Sequence, residues 1–384
     1  MYCYKMLKMK NLIVPILFLW CLVASAQKPE PIYSFARSAK NITWFEEQAG
    51  LWKLEVDKNP QNAYAWYNYY RATRNVNRLS KGSAPFAERL KQEKALVAEM
   101  EKVVPKSFEY NLCRYLVEGN NPEFLSYLKK ADELGPNRTE HLSDMIAWKE
   151  MERDTIQRDK YAIRWHSSEE SSPGLMNYNY NVLAGLPKRA ILFTAGDNDT
   201  YPAWTLQAKG FRRDVLVLNL SLLRIEKYRN KVFEELGIKV RLKDAMLTDS
   251  LLVSAIKGAA GKRTVYIALT CGQDVVDKFA AELHLCGLAY RLHSGAWDNL
   301  AELQNNIEKR YLLDYLKETF YKDIAETWTR ATHNNYIVPF MKLTEHYKLA
   351  GRTEEFEKMR DLIQRITKGT ELEQEVGNWL NQVK

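Results

Sequence analysis

Arg189-Ala-Ile-Leu-Phe-Thr-Ala-Gly-Asp-Asn-Asp-Thr-Tyr-Pro-Ala-Trp204 carries the most information in this chain, because an apolar run ends abruptly in a glycine, two carboxylates, an amide and a hydroxyl. Such a run reads as a buried strand over residues 190–195 that delivers polar groups to its own carboxyl end. The next segment, residues 202–210, predicts a short helix. Asp214-Val-Leu-Val-Leu-Asn-Leu-Ser221 then predicts a second strand ending in Asn219 and Ser221. Strands joined by a helical crossover pair in parallel, and open α/β sheets bind ligands in the crevice outside the carboxyl ends of their strands. The candidate ligand-binding residues are therefore Asp197, Asn198, Asp199, Thr200, Asn219 and Ser221, with Trp204 from the crossover helix.

Working outward, Pro173 and Gly174 mark a break before Asn177-Tyr-Asn-Tyr-Asn181. Read as extended, this segment sets its three amides on one side and its tyrosines on the other, which adds Asn177 and Asn179 to the candidates. Downstream, the pattern predicts a helix over 226–236, a short strand at Lys239-Val-Arg241, a helix over 249–257 and a strand over 264–269 ending at Thr270. A helix over 273–285 follows, then Gly287-Leu-Ala-Tyr-Arg-Leu292 as a last, edge strand. Short strands alternating with helices argue for a mainly parallel, doubly covered sheet.

Both flanks read as helical. Ile42, Phe45, Ala49, Trp52 and Val56 recur at helical spacing until Pro60, and Ala63, Trp66, Tyr67 and Tyr70 begin another apolar face. Asp57-Lys-Asn-Pro60-Gln-Asn62 before Ala-Tyr-Ala-Trp66 resembles a junction between tetratricopeptide repeats, and Pro105 and Pro136 punctuate later helices at unequal spacing. The aromatics Trp44, Trp52, Trp66, Tyr67, Tyr69 and Tyr70 are either a concave binding face or core between stacked helices, and core is the commoner fate. Near the end, residues 340–363 read as a helical hairpin in which Gly351 stops one helix, Thr353 caps the next, and Glu354 and Glu355 put negative charge in its first turn. The expected class is α/β, a small Rossmann-like, mainly parallel sheet flanked by tetratricopeptide-like α-helical segments. The expected divisions are 1–26, 27–171, 172–297 and 298–384.

The first division is a targeting segment. Lys5, Lys8 and Lys10 form a basic region, residues 12–23 an apolar one, and Ala24-Ser25-Ala26 a small-residue cleavage site, leaving Gln27 as the first mature residue. The apolar stretch is shorter than the roughly 20 residues of a membrane span, so the expectation is a soluble, exported protein, periplasmic or secreted, that does not span a membrane. The net charge of +8 includes those three lysines, and the remaining basic residues are spread along helices without interleaved stacking aromatics, which argues against nucleic-acid binding. Cys113, Cys271 and Cys286 survive cleavage. An odd count at these positions predicts buried thiols and no disulfide framework. His284 and His293 flank one apolar segment and read as satisfying local hydrogen bonds.

Leu-Phe-Thr-Ala-Gly-Asp-Asn-Asp-Thr-Tyr-Pro-Ala-Trp204-Thr-Leu-Gln207 and Arg213-Asp-Val-Leu-Val-Leu-Asn-Leu-Ser221-Leu-Leu223 resemble the soluble region of a bacterial membrane-protein family related to protein O-mannosyltransferases. Gly287-Leu-Ala-Tyr-Arg-Leu292 and the closing helical hairpin are similar to the same region. In that family glycosyl transfer from a lipid-linked donor belongs to a multi-span membrane bundle. The resemblance therefore implies an exported relative of the soluble domain, with a helical amino-terminal part in place of the bundle, and does not carry over the transferase activity.

Asp197-x-Asp199 after a strand has three chemical readings. The two carboxylates hold a divalent cation that bridges phosphate oxygens, or they open a phosphohydrolase site of the haloacid dehalogenase type with Thr270 as its second motif, or they are turn and cap residues of the next helix. Tyr201 stands where the phosphohydrolase pattern wants a small residue, and no acidic pair ends a later strand. Three function classes follow. One is an exported binding or accessory protein with a polar small molecule or glycan in its crevice, linked to cell-envelope glycan or glycoprotein handling. Another is a metal-dependent glycosyl- or phosphoryl-transfer enzyme using Asp197 and Asp199. The third is a scaffold whose helical repeats dock a protein partner.

Overall fold

A computed structural model describes residues 28–80, 86–119, 121–168, 170–242, 247–317 and 323–383. The expected leader and cleavage site lie outside these residues. The chain is mostly helical and carries one small, mixed sheet. Its amino-terminal part consists of α1 (Ile42–Lys58), α2 (Ala63–Leu79), α3 (Phe86–Val103), α4 (Phe108–Leu116), α5 (Leu125–Leu134), α6 (Leu142–Glu152) and α7 (Thr155–His166). Pro60, Pro105 and Pro136 all fall between helices, where a missing N–H disrupts nothing. Side-chain caps start several of these helices: Asn41 Oδ1 accepts from Trp44 N, Asn62 from Ala65 N, and Ser107 Oγ from Tyr110 N. Trp52, Trp66, Tyr67 and Tyr70 are buried between the helices, so most of the aromatic stripe is core.

Residues 28–38 form an irregular strap laid across α2. Ile32 N donates to Asn68 Oδ1 at 2.8 Å, Glu30 N donates to Gln48 Oε1 at 2.7 Å, and Trp52 Nε1 donates to Glu30 O at 2.8 Å. These side chains satisfy backbone groups that no regular element pairs. The Trp328 indole donates to Phe35 O at 2.9 Å and ties the strap to the carboxyl-terminal helices.

The α/β part runs through α8 (Pro173–Gly185), β1 (Ile191–Thr194), α9 (Asp197–Ala208), β2 (Leu216–Asn219), α10 (Leu220–Leu223), α11 (Glu226–Glu235), α12 (Asp249–Ala259), β3 (Val265–Ala268), α13 (Gln273–Phe279), β4 (Leu283–Leu285) and β5 (Ala289–Leu292). The strand order is β2-β1-β3-β5-β4. β1 pairs in parallel with β2, Ile191 opposite Leu216, and with β3, Ile191 opposite Val265. β1 is buried along its whole length, as a strand covered on both faces must be.

Several elements differ from the sequence expectation. The sheet is mixed, because β5 runs antiparallel to β3 and pairs with β4 as a hairpin. The edge is therefore β4, and the helix expected over 273–285 stops at Phe279. Leu283 and His284 become strand because they can pair with Leu292 and Arg291. Residues 239–241 form no strand. Asn177-Tyr-Asn-Tyr-Asn181 is not extended but lies within α8, started by Ser172 Oγ accepting from Leu175 N. Helical spacing puts Asn177 and Asn181 on one face, where both donate to Leu312 O, and turns Asn179 elsewhere.

Beyond the sheet come α14 (Asn299–Asn305), α15 (Glu326–His333), α16 (Ile337–Leu349), α17 (Thr353–Thr367) and α18 (Glu373–Gln382). Gly351, at φ +68°, makes the α16–α17 turn. Glu354 and Glu355 occupy the first turn of α17, but Thr353 is already helical and supplies no cap. Asp323 fastens this part to α8 by accepting from Ser172 Oγ at 2.8 Å, Gly174 N at 2.8 Å and Tyr315 Oη at 2.8 Å. Cys113, Cys271 and Cys286 are buried free thiols, and His284 Nε2 lies 3.2 Å from His293 O. No helix among the described residues is long and apolar enough to cross a membrane.

Candidate functional site

The turn after β1 divides the predicted site residues into two groups. α9 begins at Asp197, five residues before the expected start at Pro202, with Gly196 as its N-cap. The early start is possible because Asp199 reaches back. Its Oδ1 accepts from Gly196 N at 2.8 Å and Thr200 Oγ1 at 3.2 Å, and its Oδ2 accepts from Ala195 N at 2.9 Å and from Thr270 Oγ1. A carboxylate offers about four lone-pair positions. All are taken by the protein, which leaves Asp199 as the clasp joining the ends of β1 and β3 and not as a metal ligand beside Asp197.

Thr200 and Asn219 also turn inward. Thr200 Oγ1 lies 2.7 Å from Thr194 Oγ1 and accepts from Asn219 Nδ2 at 2.9 Å, while Asn219 Oδ1 accepts from Leu222 N at 2.9 Å. Ser221 Oγ donates to Ala195 O at 3.1 Å. Trp204 is fully buried, its indole directed at Val217 O, and so packs α9 against the sheet instead of facing a ligand. Asn179 is 1 % exposed and donates to Asn198 O at 2.8 Å. The hydrogen bonds of these residues fix the turn, although Asn179 Oδ1 has no partner among the described residues.

Asp197 and Asn198 remain. Neither side chain has a hydrogen bond among the described residues, and both line three adjoining hollows. The first, of about 570 Å³, lies between the strap, α2 and α9 and is walled by Tyr64, Tyr67, Trp165 and Tyr201 among polar groups. The second, of about 300 Å³, is walled by Arg71, Arg74, Arg78 and Asp144. The third, of about 420 Å³, opens at Ala195, Gly196 and Thr270 and is covered by Trp328, Thr332 and Asn335. This last one sits between β1 and β3, where the strand order turns from β2 on one side of β1 to β3 on the other, the switch point at which such sheets bind ligands.

The electrostatics follow from partial enclosure. Asp197 keeps surface exposure but is flanked by protein on several sides, so burial raises its pKa, the Asp199 carboxylate raises it further, and Arg78 works against the rise. Asp144 is pushed up to about 6 by burial, against Arg71 and Arg74 and with Asp197. Burial also raises Glu170, which pairs with Arg37 at 3.2 Å. Among the described residues no group of three or more His, Cys, Asp or Glu is placed to hold a metal ion.

Residues 175–235 match the family model described as TMEM260-associated domain 2. The match runs from α8 to the end of α11 and so takes in the Asp197 turn; it fits the O-mannosyltransferase-related resemblance of residues 190–223. No curated protein matches the chain. Most of the walls around Asp197 lie outside the match, Tyr201 being within it. Arg71, Arg74, Arg78, Asp144 and Trp328 were not legible as site residues, although Arg71, Arg74 and Arg78 recur at helical spacing on α2. That periodicity was the available signal, and it is also the pattern of an ordinary solvated face.

Proposed function

We propose that this chain is an exported binding or accessory protein that holds a polar, sugar-type ligand in the cleft centred on Asp197 and Asn198, with a role in cell-envelope glycan or glycoprotein handling. The observation that carries this reading is the convergence of three hollows on two side chains with no other partner among the described residues. Ligand sites are concave, largely apolar and equipped with a few convergent polar groups. The flat faces of Tyr64, Trp165 and Tyr201 suit the apolar faces of sugar rings, and Asp197, Asn198 and Ser143 suit their hydroxyls. On this reading β1, β2 and β3 with α9 form a Rossmann-like unit, and the flanking helices are tetratricopeptide-like supports for the opposite wall.

The experiment is a native mass-spectrometry and thermal-shift screen of the mature chain against glycans, sugar phosphates and nucleotide sugars, repeated with Asp197→Asn and Asn198→Ala. Binding that either variant weakens supports the reading; binding indifferent to both overturns it. Export has its own test. Amino-terminal sequencing of the mature protein should begin at Gln27, and recovery of a full-length, membrane-embedded chain would refute the leader.

A further inference from the structure

The hollow of about 300 Å³ beside Asp197 is walled differently from the larger cleft. α2 contributes Arg71, Arg74, Asn75 and Arg78, at positions i, i+3, i+4 and i+7 and hence on one face. Arg71 and Arg78 make no hydrogen bond or ion pair among the described residues. Their guanidinium carbons lie near aromatic rings, Tyr67 at 5.9 Å and Phe35 at 5.3 Å. Arg74 donates from Nη1 to Tyr70 Oη at 3.5 Å and has its Nε 3.9 Å from Glu93 Oε2, both long contacts. Asn75 is 4 % exposed and its Nδ2 has no partner, a state that folded proteins rarely leave unresolved.

Like charges at this spacing destabilise a helix. Asp144 and Asp197 line the same hollow, and Glu93 and Glu170 act on these arginines from outside it, yet among the described residues only Arg74 of the three comes within ion-pair distance of a carboxylate. We propose that this arginine-lined hollow binds a phosphate group, ester or diester, carried by the ligand whose sugar lies in the adjoining cleft. The inference rests on the binding reading above and names the chemistry of its ligand. Guanidinium forks match phosphate oxygens bidentately. The three are spread over about 10 Å of helix, at 1.5 Å per residue, with the forks of Arg71 and Arg78 not taken up by a carboxylate, and Asn75 Nδ2 supplies a neutral donor between them. Hollow and cleft share Ser34, Arg71, Ser143, Asp197 and Asn198, so one ligand reaches both.

The test is calorimetric titration of the mature chain with inorganic phosphate, a panel of hexose 1-phosphates and the matching free hexoses. Flotation with phosphatidylcholine vesicles, with and without a polyprenyl phosphate, runs beside it. A hexose 1-phosphate should bind more tightly than either inorganic phosphate or the free hexose, and added salt should weaken it. Arg71→Gln and Arg78→Gln should each weaken it about tenfold or more, the worth of a charged hydrogen bond. Arg78→Lys should fall between, because it keeps the charge and loses the fork. Asp144→Asn should strengthen binding by removing a negative wall. Circular dichroism and unliganded melting temperatures report whether each variant folds.

Equal affinity for hexose and hexose phosphate, unmoved by the arginine variants, overturns the phosphate subsite and leaves the cleft reading intact. Arginine-dependent binding of inorganic phosphate with no gain from any sugar keeps the subsite and overturns the sugar reading. Arginine-dependent binding only to vesicles containing polyprenyl phosphate keeps the subsite and assigns its phosphate to a lipid head group. No phosphate binding by any probe overturns the proposal.

Discussion

The Asn179 side-chain amide stands in for the backbone N–H that Pro202 lacks. Pro202 lies inside α9, so the carbonyl four residues before it, that of Asn198, has no intrahelical donor. Asn179 Nδ2 fills that place at 2.8 Å and also bonds Leu175 O at 2.9 Å. The same bond fixes the backbone of a residue whose side chain faces the cleft. Asn179→Ala should lower stability in urea by about 2 kcal/mol. Pro202→Ala restores the helical donor, so the loss should be smaller in that background. Equal losses in both backgrounds would show that Asn179 acts elsewhere.

Asp197 and Asp199, two residues apart, should behave oppositely. Removing Asp199 leaves four donors at the β1–β3 junction without their acceptor. Asp199→Ala should therefore cost about 3 kcal/mol, more than the roughly 1 kcal/mol of a surface cap. Asp197→Asn should stay within about 0.5 kcal/mol of the parent chain and lower ligand affinity. Guanidinium melts and titration with the ligand found in the screen separate the two. Comparable destabilisation by both would make the motif purely structural.

Asp144 predicts a pH signature. Its ordinary value is 3.8 and the folded value is about 6, raised by burial against Arg71 and Arg74. Between those values the folded chain holds a proton that the unfolded chain has released, so this residue makes stability fall as pH rises through the window. The full penalty is present above about pH 6. Asp144→Asn should be more stable than the parent by about 1 to 2 kcal/mol at pH 8, the range reduced for the solvent that reaches the hollow. The advantage should shrink to near zero at pH 4. A parent chain that outlasts the variant at pH 8 would contradict the assignment.

Two glycines should differ sharply. At Gly287, φ is +120° and an added Cβ would lie 2.1 Å from Tyr311 Oη, the atom that accepts from Leu288 N. Gly287→Ala should cost more than about 3 kcal/mol, since a strained backbone and a steric clash combine. Gly196 has φ −126° and no atom closer than 3.8 Å to the added Cβ. Gly196→Ala should leave the melting temperature nearly unchanged. If it nevertheless abolishes ligand binding, the ligand approaches the backbone at the start of α9.

Apolar periodicity and proline punctuation are local properties, and they mark β1, β2, β3, their helical crossovers and the two helical flanks along the chain. The Asp197 turn is marked as well, since a polar cluster ending an apolar strand run sits at the strand's carboxyl end. Periodicity failed where a short segment served two patterns: Asn177-Tyr-Asn-Tyr-Asn181 alternates like a strand, yet Ser172 and Pro173 start a helix that absorbs it. His284 became strand only because Arg291 lay opposite.

Which polar side chains face the cleft was a tertiary matter. Asp197 and Asp199 are the same residue type in the same turn, and their fates differ because Thr270, far along the chain, donates to one and not the other. The opposite wall depends on how α2 and α6 are brought to face the start of α9, and α2 lies more than a hundred residues before it, a relation that leaves no local trace. By itself the sequence determined where the elements lie and which turn carries the polar cluster. Long-range packing decided which of its groups were consumed as structure and which were left facing the cleft.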